Sequence, residues 1–308
     1  MLNNSVQNGK NVNEVILFRT MEKYLKQVAV NCTYIETHGK GYVYYSSRFL
    51  NGNLKMVEIG DLVLITYDRS RKELRICTLQ AKYKKDSVTK FLRIKRLDVF
   101  QWELLKDRPN VIAASKKYKV PQNILNFNPK YKSISAYGIF YQDPVPNGDI
   151  DFLFTIPEYL KNVRPLTYIT RKRKFRSFEI NCIPCSCNQC IGNKNVNNLE
   201  EVIVSGSMDV FEKALLSCKI GAVVDDKNIE NILLFLKYLN VNFKKENGGS
   251  ESAIDFILSE YQSISDRIVI EDKIDVKMPA ALILVTDSGQ YGDMEEVVNH
   301  ISRQALLD

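Results

Sequence analysis

Two apolar runs separated by a short polar turn constrain this chain more than any other feature. Asp61 opens a β-branched run, Asp61 to Tyr67, the polar residues Asp68 to Lys72 follow, and a second run ends in Gln80-Ala81-Lys82. Runs of this type around a tight polar turn read as a β-hairpin. Leu62, Leu64, Cys77 and Leu79 fall on one face, and Val63, Ile65, Ile76 and Thr78 on the other. A strand pair that is apolar on both faces belongs in the middle of a sheet covered on both sides. The predicted fold class is therefore α/β, a mixed central sheet with flanking helices.

A turn centred between Ser70 and Arg71 sets Asp61 opposite Gln80, with Lys82 diagonally beside them. All three side chains then project from one sheet face. A carboxylate and an amide oxygen suit a hard divalent cation, and a lysine two residues away can orient a water and balance anionic charge as the ammonium, or take the water's proton as the neutral amine. A one-residue slip in register scatters the group. The alternative is an ordinary hairpin whose wet end, next to Lys84 and Lys85, carries solvated Gln and Lys.

An Asp at the start of one strand with Gln-x-Lys near the end of the next resembles the PD-(D/E)xK nuclease superfamily. Residues 79 to 83, LQAKY, are most similar to its Mrr-type restriction endonuclease branch, where Gln replaces the usual acid. The resemblance implies a restriction-endonuclease-like domain over residues 1–142, with Asp61, Gln80 and Lys82 as catalytic positions. It further implies Mg²⁺ held by Asp61 and Gln80, and metal-dependent cleavage of DNA phosphodiesters in a restriction or phage-defence role. A homodimer or a defence-system protein is the partner expected besides DNA. The chain departs from the family at Gly60, where a Pro is usual, and at the neutral Gln80.

Asn13 is a plausible N-cap for a helix running to Val30, with Val15, Phe18, Met21, Leu25, Val28 and Ala29 as its apolar stripe. Glu22 falls inside that stripe. Some nucleases of the superfamily place an additional metal-directed acid on the preceding helix, so the resemblance makes Glu22 a candidate catalytic carboxylate. Otherwise it snorkels from the stripe's margin to solvent. A helix is predicted over Leu97 to Lys106. Its Gln101, in FQWELL, resembles the helix Gln that some families of this fold set beside the site, and Trp102 is read as core.

A net charge of +7 suits a polyanionic partner. Two basic segments interleaved with apolar residues are candidate nucleic-acid contacts. One contains Arg93, Lys95 and Arg96, and the other is Arg171, Lys172, Arg173 and Lys174 beside Phe175 and Phe178. Solvated faces have the same composition.

With 308 residues, two domains are the expectation. DPVPNGD at residues 143–149 is the predicted linker. The second domain, residues 150–308, carries Cys182, Cys185, Cys187 and Cys190 in a CxxCxCxxC cluster. Four thiols at this spacing predict a tetrahedral structural Zn²⁺ site, favoured over an iron–sulfur cluster. The rest of that domain reads as mainly helical, with helices over Met208 to Lys219, Asn228 to Leu239, Glu251 to Tyr261 and Asp293 to Leu307, and a buried strand or short helix over residues 278–287. No apolar segment approaches a bilayer span and the first residues lack the apolar core of a signal peptide, so a cytoplasmic protein with reduced thiols and no membrane contact is expected. A non-catalytic, zinc-stabilised nucleic-acid-binding protein is the rival reading of the whole chain.

Overall fold

The structure is a computed structural model that describes residues 14–36, 41–87, 92–142, 150–162, 175–180, 201–248, 250–270 and 277–290. Helix α1 (Glu14–Val28) leads into β1 (Asn31–Ile35), and β2 (Tyr42–Ser46) and β3 (Leu54–Glu58) form a hairpin. The central hairpin is β4 (Leu62–Asp68) and β5 (Glu73–Ser87). Strand β6 (Leu92–Asp98) runs directly into α2 (Val99–Asp107), followed by β7 (Ile112–Ala113), β8 (Ser135–Gln142), β9 (Ile150–Thr155), β10 (Leu160–Asn162) and β11 (Phe175–Ile180). Strand β12 (Val204–Ser205), α3 (Met208–Leu216), β13 (Ala222–Val223), α4 (Ile229–Glu246), α5 (Ala253–Glu260), α6 (Gln262–Ser265) and β14 (Ala281–Thr286) complete the order.

The main sheet has eight strands in the order β1-β14-β4-β5-β8-β9-β12, with β13 added to the first half of β5. It is mixed: β14 runs parallel to β4 and β8 parallel to β5, while the other pairs are antiparallel. Smaller sheets, β3-β2-β7 and β10-β11-β6, stand beside it.

The division expected at residues 143–149 does not appear in this sheet. Strands β9, β12, β13 and β14 all lie beyond it, and β14 sits against β4 in the middle of the sheet. Its six residues are all buried, so the apolar run over 278–287 is an interior strand. The expected helices 208–219, 228–239 and 251–261 form as α3, α4 and α5. Ser207 caps α3, and a capping box between Ser252 and Asp255 starts α5. The closing helix over 293–307 and the Cys182–Cys190 cluster lie outside the described residues.

Alternation along the strands builds two cores. Leu62, Leu64, Cys77 and Leu79 face Leu17, Phe18, Met21 and Leu25 of α1 and Phe211 and Leu215 of α3. Val63, Ile65, Ile76 and Tyr137 face Val99, Phe100 and Leu104 of α2, with α4, α5 and the small sheets around them. Each fully buried aliphatic or aromatic side chain contributes about 1.5–3 kcal/mol, so these stripes fix which way the helices face. The hairpin turn is closed by Asp68, whose Oδ1 accepts from Ser70 N (3.0 Å) and Ser70 Oγ (2.8 Å) and whose Oδ2 accepts from Arg71 Nε (2.5 Å). Cys32, Cys77 and Cys218 are buried free thiols. Among the described residues no helix is long and apolar enough to cross a membrane.

Candidate active site

The β4–β5 register pairs Leu62 with Leu79 and Asp68 with Glu73, which places Asp61 across from Gln80 at the open end of the hairpin. Asp61 N donates to Leu79 O (2.9 Å). Gly60 makes this approach possible, because a Cβ there would meet Leu79 O at 3.0 Å and Thr78 Cγ2 at 2.8 Å. Close packing thus fixes a Gly at this position.

Beyond this point the Asp61 side chain takes over from the backbone ladder. Its Oδ2 accepts from Ala81 N (2.8 Å) and from Gln80 Nε2. Gln80 is only 2% exposed, and the same Nε2 also donates to Ala81 O (3.2 Å). On its other side Gln80 Oε1 accepts from Gln101 Nε2, which donates in addition to Glu58 O (3.2 Å). The Glu58 carbonyl can only accept. It therefore fixes the Gln101 amide as donor, and Gln101 in turn makes Gln80 present its nitrogen to Asp61. The result is a buried polar chain from β3 through α2 and β5 to the start of β4.

Helix α2 holds Gln101 firmly. Asp98 caps the helix through Phe100 N (3.0 Å), and every residue from Val99 to Leu105 is buried. The Glu103 carboxylate accepts from Tyr45 Oη (2.7 Å), Ser47 Oγ (2.6 Å), Arg48 N (2.8 Å) and Phe49 N (3.3 Å), tying the helix to the β2–β3 hairpin. Trp102 lies in the core, 5.2 Å from the Phe178 ring, with its indole N–H on Pro157 O.

The other expected site residues distribute unevenly. Lys82 follows Gln80 by two positions on the same face and is half-buried. Glu22 is on the wrong side of the sheet, because α1 packs on the Leu62, Leu64 and Leu79 face whereas Asp61 and Gln80 project on the Val63 and Ile76 face. Val15 is 40% exposed and Leu17 is buried in its place. That rotation carries Glu22 to the stripe's margin, where it pairs with Lys26 (2.7 Å). Arg93, Lys95 and Arg96 belong to β6, whose backbone pairs with β11. Arg171, Lys172, Arg173 and Lys174 lie outside the described residues.

Tyr137 is a residue that the sequence did not single out. The parallel β5–β8 register sets it beside Gln80, so Asp61, Gln80 and Tyr137 form a row across three adjacent strands. Tyr137 is fully buried and its Oη has no hydrogen-bond partner among the described residues. Burial first, and then the Asp98 and Asp61 carboxylates, hold this hydroxyl protonated well above the usual tyrosine range. The alternation in SISAYGIFYQ announces a strand, but nothing local announces its register against β5. Comparison of the chain with protein-family models, with curated proteins and with solved structures found no match.

Proposed function

We propose that this protein is a Mg²⁺-dependent DNA endonuclease of restriction or defence type, with its site at Asp61, Gln80 and Lys82. The observation that carries the reading is the hairpin register, which brings Asp61 and Gln80 together on one face with Lys82 two residues on. The donor set fits a hard cation. Asp61 Oδ2 and Ala81 O converge on a single hydrogen-bond donor, the neutral Gln80 amide nitrogen, and both are oxygen ligands of the kind that Mg²⁺ prefers. Asp61, Ala81 O and Gln80 Oε1 would hold the cation, the last once the Gln80 and Gln101 amides turn together and the bond from Gln101 to Glu58 O is given up. When bound, Mg²⁺ would polarise a phosphodiester and favour hydroxide over water. The Lys82 ammonium would orient the attacking water and offset the charge that grows on the phosphate. The new P–O bond forms from that water, the ester bond to one sugar breaks, and the sugar oxygen leaves with a proton.

The basic residues of 93–96 and 171–174 would hold the DNA backbone, and Cys182, Cys185, Cys187 and Cys190 would hold a structural Zn²⁺ by their spacing. A cytoplasmic site of action and a homodimer or defence-system partner belong to the same reading. One observation favours the rival, a non-catalytic nucleic-acid-binding protein: Asp61 Oδ2 already serves as the acceptor that ends the β4–β5 ladder. Incubation of closed circular plasmid with the purified chain separates the two. The nuclease reading expects nicking with Mg²⁺ and none with EDTA, and the rival expects salt-dependent binding without nicking.

A further inference from the structure

Gln80 leaves the proposed site one carboxylate short. A single Asp beside a neutral amide offers one negative charge to a divalent cation, and Glu22, on the opposite face, does not supply the second. Tyr137 points to where the second comes from. A buried hydroxyl without a partner costs about 1–3 kcal/mol, and Phe at the same place would avoid that cost. The hydroxyl therefore needs a use. It stands in the row with Asp61 and Gln80, on strands spaced about 4.8 Å apart.

Helix α2 starts over this row. Gln101 touches Gln80, and Asp98 is the N-cap of the helix whose third residue is Gln101, two positions whose side chains meet at a helix start. Electrostatically, Asp98 and Asp61 both act on the Tyr137 hydroxyl.

We propose that Asp98 is the second carboxylate ligand of the cation site at Asp61, and that Tyr137 is the buried donor that positions this carboxylate pair. The proposal rests on the cation-dependent reading above. It gives the site two negative charges in place of one, and it gives the Tyr137 O–H an acceptor once the carboxylates turn toward a cation. Ligating carboxylates are commonly held by such a hydrogen bond.

Isothermal titration of the full chain with Mn²⁺, without DNA, tests the idea through binding rather than activity. Asn caps helices as well as Asp does, so Asp98→Asn keeps the cap at Phe100 N and removes only the charge. We expect D98N to retain the wild-type Tm and to lose Mn²⁺ affinity by about tenfold or more. Tyr137→Phe should keep or raise the cation-free Tm and still weaken Mn²⁺ binding, a combination that a purely structural tyrosine would not give. Glu22→Gln should bind Mn²⁺ as the wild type does. If Asp61→Asn loses Mn²⁺ while D98N binds normally, this proposal is overturned and the Asp61 site stands. Wild-type protein that takes up no Mn²⁺ overturns both. Should D98N fail to fold, Y137F decides, and unchanged affinity in that variant overturns the proposal.

Discussion

Gln80→Glu is the perturbation for which the structure gives the most definite expectation. The amide nitrogen of Gln80 donates to Asp61 Oδ2 and to Ala81 O, and the side chain is 2% exposed. A carboxylate there loses one bond to a charged acceptor, about 1.5–3 kcal/mol, and one to a neutral acceptor, about 0.5–1.5 kcal/mol. It also faces Asp61 as a like charge, a repulsion relieved when the pair shares a proton. The bond from Gln101 is retained and strengthened, which offsets part of the loss. The net cost without cation is about 2–4 kcal/mol, or roughly 3–6 °C in Tm for a chain of this size. Mg²⁺ should reverse it, since a cation at a hundred times its Kd returns about 2.7 kcal/mol.

Calorimetry in EDTA and then in Mg²⁺ reads both numbers. The carboxyl pKa of the pair is raised in the folded variant, so its stabilising contribution is present at low pH and lost as pH rises. The deficit should therefore shrink on acidification. A Gln80→Glu protein as stable as wild type in EDTA would refute the bonding described for Gln80, and one that Mg²⁺ leaves unchanged would refute the cation site. Nicking should be retained or raised in this variant. If it is lost while Mg²⁺ still binds, Gln80 acts through its N–H donors.

Lys82→Ala should lower plasmid nicking by about 10²-fold or more while salt-dependent DNA binding persists, and a variant with wild-type nicking removes Lys82 from the chemistry. Asp68 is fully shielded. Its burial alone would raise the carboxyl, but hydrogen bonds from Ser288, Arg71 and Ser70 outweigh this and lower it to about 2. Because that folded value lies below the unfolded one, near 3.9, the stabilisation is full above pH 4 and is lost as pH falls toward 2. Asp68→Asn should flatten this part of the acid-unfolding profile, and an unchanged profile would contradict the assignment. Elemental analysis should give about one zinc per chain without iron–sulfur absorption, and Cys185→Ser or Cys187→Ser should lower Tm. Zinc-free protein of normal stability would dismiss the structural metal.

What the sequence disclosed was set by short-range geometry. The alternation in 61–67 and 74–80 and the turn at Asp68 to Lys72 determine the β4–β5 register between them, and the pairing of Asp61 with Gln80 follows from residues close along the chain. Gln101 was also legible as a motif. Glu22 was misplaced because periodicity shows that a helix has an apolar side, not which face of a distant sheet that side covers. The exposure of Val15 and the burial of Leu17 decide the helix rotation, and both depend on β1 and α3 packing beside it. The insertion of β14 between β1 and β4 joins residues more than two hundred positions apart, and no local pattern signals it. For that reason nothing at 143–149 discloses that strands on both sides of it share one sheet. Tyr137 and Asp98 were hidden in the same way, since a parallel crossover sets its register through the packing of α2 and not through a turn.

The central claim is that Asp61 works in a cation-dependent phosphodiesterase site and is more than the cap of a hairpin ladder. Asp61→Asn separates these roles, because an amide oxygen still accepts from Ala81 N while the charge a cation needs is gone. The direct measurement is the rate of Mg²⁺-dependent plasmid nicking by wild-type and D61N protein at matched Tm. The account predicts nicking by the wild type and none above background by D61N. No nicking by either protein, or equal nicking by both, would contradict it.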